Sequence, residues 1–175
     1  MSYMFQGCNK LKNIYLNNFI TVNVEYTKGL FKDCNNLLQL DISNFNLGNN
    51  KDMSFMFYNC AKLTKIIFGN INTKNVENMS NLFSECRQIQ NINLTSFNTL
   101  KVVNMSSMFT YCMNLKELDL KSFDTRNVQD MSYMFDTCRK LQNITFGNFF
   151  NTGSKIYAKI ILFLSDNYKF RFKIF

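Results

Sequence analysis

The sequence predicts an α/β solenoid: a right-handed coil of about seven 26-residue turns, each with one short parallel β-strand, a polar turn and a short helix. Three observations lead there. The six cysteines, Cys8, Cys34, Cys60, Cys86, Cys112 and Cys138, follow one another at a constant interval of 26 residues. Apolar residues recur at fixed distances from each cysteine. Within a repeat their spacing changes from two to three and four, the mark of a strand followed by a helical segment.

The strand comes first. Six residues after each cysteine stand Ile14, Leu40, Ile66, Ile92, Leu118 and Ile144, and eight after stand Leu16, Ile42, Phe68, Leu94, Leu120 and Phe146. Residues two apart in a strand point to one face, so these columns read as one buried strand per repeat. Further apolar columns lie three after, from Leu11 to Leu141, and eleven after, from Phe19 to Phe149. A period in the range of about 20–29 residues is that of leucine-rich-type coils.

The return segment reads as a helix. In "DMSFMFYNC" the apolar residues Met53, Met56, Phe57 and Cys60 fall at i, i+3, i+4 and i+7, one face of about two helical turns. Asp52 stands where an N-cap would, and Asn78, Asn104 and Asp130 occupy the same column. No single unit could bury these faces alone, whereas stacked neighbours make a continuous core.

The full pattern, C-x-x-L-x-x-[LI]-x-[LIF]-x-x-F-[ND]-T-x-x-V-x-[ND]-M-S-x-M-F, is most complete between Cys112 and Cys138. It resembles the BspA-type leucine-rich-repeat surface proteins, and in particular the "MSxMFxxC" repeat of wall-less bacteria. The resemblance covers about residues 1–150. It implies a cell-surface or secreted adhesion repeat of a lipoprotein-rich family, and it implies no catalytic residues.

The chain reads as a single repeat domain over 1–175, with regular repeats over 1–150 and a degenerate terminal coil over 151–175. Counting 26 from Cys138 lands on Leu164, preceded by Ile160 and Ile161, and places Phe170, Phe172 and Phe175 inward. Lys169, Arg171 and Lys173 then fall on the exposed face of a seventh strand. Coil one departs from the pattern at Thr27, Lys28 and Gly29, and coil two at Leu47 and Asn50. Met1 falls in the column of Met53 and Met131, inside a repeat, and Phe175 also stops inside one. The expectation is a fragment of a longer array, or ends covered by end-to-end self-association.

Composition narrows the chemistry. Hydrophobic residues make up 46% of the chain and charged ones 18%, which argues for a folded core. No apolar run is long enough to span a bilayer. Histidine is absent, removing the commonest general base, and the glycines are too scattered for a phosphate loop. One cysteine per repeat makes a column of buried thiols rather than a metal cluster or disulfide set. The chain is therefore expected to be no enzyme and to bind no metal or cofactor. The net charge of +8 is divided equally between residues 1–154 and the tail, so no nucleic-acid partner is expected.

Function is placed on the outward face of the strands. Tyr15, Asp41, Ile67, Asn93, Asp119 and Thr145 form its central column, with Lys65 and Glu117 on one side and Lys121 on the other. This surface is mainly neutral and hydrogen-bonding, with Tyr15 and Ile67 as anchors, and suits a protein or glycan ligand. The expected function is a non-enzymatic binding module for surface adhesion; an intracellular repeat scaffold in the cytoplasm is the alternative. Asn78, Asn93, Asn104 and Asn143 also stand in N-x-S/T sequons, relevant only in a eukaryotic secretory pathway.

Overall fold

The strand signal and the helix signal meet different fates. The structure, a computed structural model, describes residues 1–147 and 171–174. Its strands are β1 (Gln39–Asp41), β2 (Lys65–Ile67), β3 (Glu117–Leu120), β4 (Asn143–Phe146) and β5 (Arg171–Ile174). All pairing is parallel. β1 and β2 form one sheet, and β3, β4 and β5 a separate one. Leu40 stands opposite Ile66 and Leu118 opposite Ile144, each pair one repeat apart. The strands alternate exposed and buried residues, because neighbouring side chains point to opposite faces.

Between the two sheets the ladder is broken. Residues 89–94 form no strand. Both outward positions there, Asn91 and Asn93, carry a residue type depleted in strands, and the Asn93 side chain turns back to accept from the Thr95 N–H at 3.1 Å.

No helix occurs among the described residues. The expected α/β solenoid of leucine-rich-repeat-like coils is corrected on this point and on the discontinuous sheet. The segment 53–60 shows why. Its amides alternate: Met53, Phe55, Phe57 and Asn59 donate to carbonyls of Asn78, Ser80, Leu82 and Ser84 in the next repeat, at 2.9–3.0 Å. Between them, Met56, Tyr58 and Cys60 donate back three residues, to Met53, Phe55 and Phe57. The first and last of these bonds each close a tight turn through a left-handed residue, Phe55 at φ 58° and Asn59 at φ 54°. The same two columns are left-handed at Asn81 and Glu85, at Ser107 and Tyr111, and at Tyr133 and Thr137.

A helix would spend every amide on itself. It is also about 10–12 Å wide, whereas parallel backbones pair at about 4.8 Å. Turns that send every second amide to the neighbour keep this segment at the spacing of the strands. The left-handed conformation costs about 1–2 kcal/mol per non-glycine residue, which inter-repeat bonds and close core packing offset.

The expected capping residues start these turns instead. Asp52, Asn78, Asn104 and Asp130 accept from the N–H two residues on, at 2.8–3.0 Å. They also bridge one another in a parallel ladder that begins at Tyr26.

The core is a set of columns. Phe5, Phe31, Phe57, Phe83, Phe109 and Phe135 stack face to face, with centroids 5.4–5.9 Å apart. Beside them each buried thiol donates to a phenylalanine carbonyl of the preceding repeat, from Cys34 to Phe5 (3.1 Å) through Cys138 to Phe109 (3.0 Å). Cys8, in the first repeat, is exposed.

In the tail, Phe172 stands opposite Ile144, whereas the count of 26 would put Phe170 there. β5 is thus set two residues later than expected. The other tail positions, Ile160, Ile161, Leu164, Phe170 and Phe175, lie outside the described residues, as does most of the coil expected over 151–175.

Candidate functional site

The residues expected to form one binding face are divided between the two sheets. Asp41 lies in β1, Lys65 and Ile67 in β2, Glu117 and Asp119 in β3, and Thr145 in β4. Tyr15 belongs to no strand and is 89% exposed. Lys121 follows β3, and Asn93 sits in the break. Tyr15, Asp41, Lys65 and Ile67 do come together around a groove of about 340 Å³. The Ser43 hydroxyl and N–H hold the Asp41 carboxyl below its usual range. The Asp119 carboxyl is engaged locally, accepting from the Lys121 N–H at 3.0 Å. Among the described residues no continuous strand face exists, and the expected adhesion function on such a face is withdrawn, together with the scaffold alternative that rested on the same coil.

An unbroken row that crosses the break in the strands lies elsewhere. Two residues N-terminal to the buried methionine column, the amides of Lys51, Glu77, Val103 and Gln129 each donate to the carbonyl of the same position one repeat before, a row that begins at the Glu25 carbonyl, at 2.7–2.9 Å. Two positions earlier runs an amide column. Asn49, Asn75 and Asn127 donate from Nδ2 to the carbonyls of Val22, Gly48 and Leu100 at 2.7–2.8 Å. Spent in this way, the amide nitrogens fix the rotamers and leave Oδ1 to accept from other donors. Lys101 replaces Asn in its repeat, and its Nζ donates to Asn75 Oδ1 at 2.8 Å.

Between these columns runs a polar groove of about 410 Å³, lined by Asn23, Glu25, Asn49, Lys51, Asn75, Glu77 and Lys101. It crosses four consecutive repeats, roughly 14 Å at strand spacing. Its two lysines and two glutamates balance. Lys51 Nζ lies 3.0 Å from Glu25 Oε2, and the hydrogen bond and charge of that glutamate raise the lysine's pKa. Sequence reasoning missed this groove by following only the strand columns. The signal was present in the recurrence of Asn23, Asn49, Asn75 and Asn127 eleven residues before Cys34, Cys60, Cys86 and Cys138.

Among the described residues no group of three or more cysteine, aspartate or glutamate side chains could hold a metal ion. No helix of the described residues is long and apolar enough to cross a membrane.

The family described as "Mycoplasma protein of unknown function, DUF285" matches residues 1–91 and 61–161. The chain belongs to this family. The DUF285 match spans the cysteine-spaced repeats, and it replaces the expected BspA-type leucine-rich-repeat membership, whose strand-and-helix coil the described residues do not form. No curated protein and no solved structure matches the chain.

Proposed function

We propose that this DUF285 chain is a non-enzymatic binding protein whose polar groove holds an extended, uncharged, hydroxyl-rich ligand of the glycan class. The observation that carries the reading is the groove itself: a row of amides, carboxylates and ammonium groups across four repeats, with no net charge. Hydroxyl groups both donate and accept, and meet such a row repeatedly along an extended chain. A protein partner would call for aromatic or aliphatic anchors, which the groove lacks. The groove's carboxylates, Glu25 and Glu77, are open to water, without the apolar surroundings that prepare a carboxyl for acid catalysis.

Polymeric glycans are met outside the cell, so the proposal includes a surface or secreted location. Protease treatment of intact cells, with the intracellular pool as control, tests that part.

The groove is tested with a neutral glycan array followed by calorimetry on the retained glycans. Lys101→Ala is expected to weaken binding about tenfold, the effect of one charge-assisted hydrogen bond. Tyr15→Ala is expected to leave it unchanged. Loss of binding in Tyr15→Ala with retention in Lys101→Ala would refute the groove, as would an array that retains no neutral glycan.

A further inference from the structure

The charge of this chain is arranged by column. The four residues after each cysteine, 9–12, 35–38, 61–64, 87–90, 113–116 and 139–142, contain seven basic residues and no acidic one. The seven are Lys10, Lys12, Lys62, Arg87, Lys116, Arg139 and Lys140, and all are exposed. The rest of residues 1–147 carries eight basic and eleven acidic residues. One edge therefore holds the whole positive excess of this region, and the remaining surface is net negative.

Buried anchors hold the edge, and backbone bonds join its repeats on either side of the break in the strands. Leu37, Leu63, Ile89, Leu115 and Leu141 anchor it, all buried. Leu38 N–H donates to Lys12 O at 3.1 Å, Thr64 to Leu38 at 2.9 Å, Lys116 to Gln90 at 3.1 Å and Gln142 to Lys116 at 2.9 Å. Lys62 and Lys140 lie along the row, each donating to an asparagine oxygen of the repeat before at 2.7 Å. Six repeats at strand spacing make a row of roughly 24 Å. Arg87 is the one of the seven with a carboxylate partner among the described residues, Glu85 at 2.7 Å.

The row is also narrow. Asp33, Glu85 and Asp136 border it on one side, and Glu117 on the other. A flat anionic membrane would press these carboxylates against its own headgroups, whereas a single linear chain can follow the cations alone. Single-stranded nucleic acid would need stacking platforms, and the row contains no aromatic residue.

We propose that this edge binds one linear acidic polysaccharide, its carboxylate or sulfate groups meeting the successive lysines and arginines. The proposal is independent of the polar groove, which occupies other columns.

The test measures binding of the full chain to heparin and to polygalacturonate, with single-stranded DNA and anionic phospholipid vesicles in parallel, at several salt concentrations. Binding to at least one polysaccharide that weakens as salt rises is expected. The combined variant Lys62→Gln, Arg87→Gln, Lys116→Gln should bind about a hundredfold more weakly, on a scale of roughly fivefold per cation facing an anionic surface. Leu38→Lys, which supplies the cation that the second repeat lacks, should strengthen binding about fivefold. Lys101→Ala should change nothing, which separates this edge from the groove. The proposal is overturned if the triple variant binds polysaccharide like the parent while keeping the parent's melting temperature. It is equally overturned if DNA or vesicles bind more tightly than both polysaccharides, or if Leu38→Lys has no effect.

Discussion

The buried cysteines act as small apolar side chains that also carry one hydrogen bond. Each thiol meets a phenylalanine carbonyl of the preceding repeat, so the column joins repeats as well as filling space. Burial pushes Cys86 and Cys138 up to about 12 and Cys34 to about 11. Such thiols keep their protons at pH values where unfolded thiols, near 9.0, have lost theirs. The folded state then binds more protons than the unfolded one, so stability present below about pH 9 falls as pH rises toward about 12. Urea denaturation from about pH 8 to 10 should show this decline, less steeply in Cys86→Ala, by up to about 1.4 kcal/mol per pH unit. An unchanged slope in the variant would contradict the assignment.

At the scale of the element, the question is how "MSxMF" folds. Apolar residues at i, i+3, i+4 and i+7 mark one face of a helix, yet two consecutive turns bring the same residues inward: Met53, Met56, Phe57 and Cys60 are all fully buried. The left-handed residue in each turn decides between them. Ser107 has φ 55°. Ser107→Gly should therefore stabilise the protein by roughly 1 kcal/mol, because glycine enters this conformation without steric cost. In a helix the same change would destabilise by several tenths of a kcal/mol. The midpoint of a denaturation curve gives the sign. A trace of this conformation was legible in the sequence, since Gly7, Asp33 and Asn59 share the left-handed column before each cysteine, and all three residue types tolerate it. It was obscured by Glu85, Tyr111 and Thr137 in the same column; the Glu85 and Tyr111 amides donate to carbonyls of the next repeat, Thr110 and Asp136, and these bonds hold the conformation against local preference.

For the whole molecule, the cysteine interval carried the inward columns and the parallel pairing of each repeat with the next, because a constant interval admits one register. The conformation between those columns depends on neighbours that no single repeat contains. The same holds for the surface. Strand columns drew attention to Tyr15 and Ile67, whereas the groove and the basic edge arise from turn columns whose residues look unremarkable one repeat at a time. Charge is segregated around the long axis, with a balanced groove and a positive edge in separate columns. Among the described residues a helix-free stack of turns and short parallel strands keeps these columns in register, since a helix in each repeat would force neighbouring backbones apart on one side. Far-UV circular dichroism of the full chain tests this most directly. The account predicts a spectrum of strand and turn without the double minimum of α-helix, and a helical spectrum amounting to about two turns per repeat would contradict it.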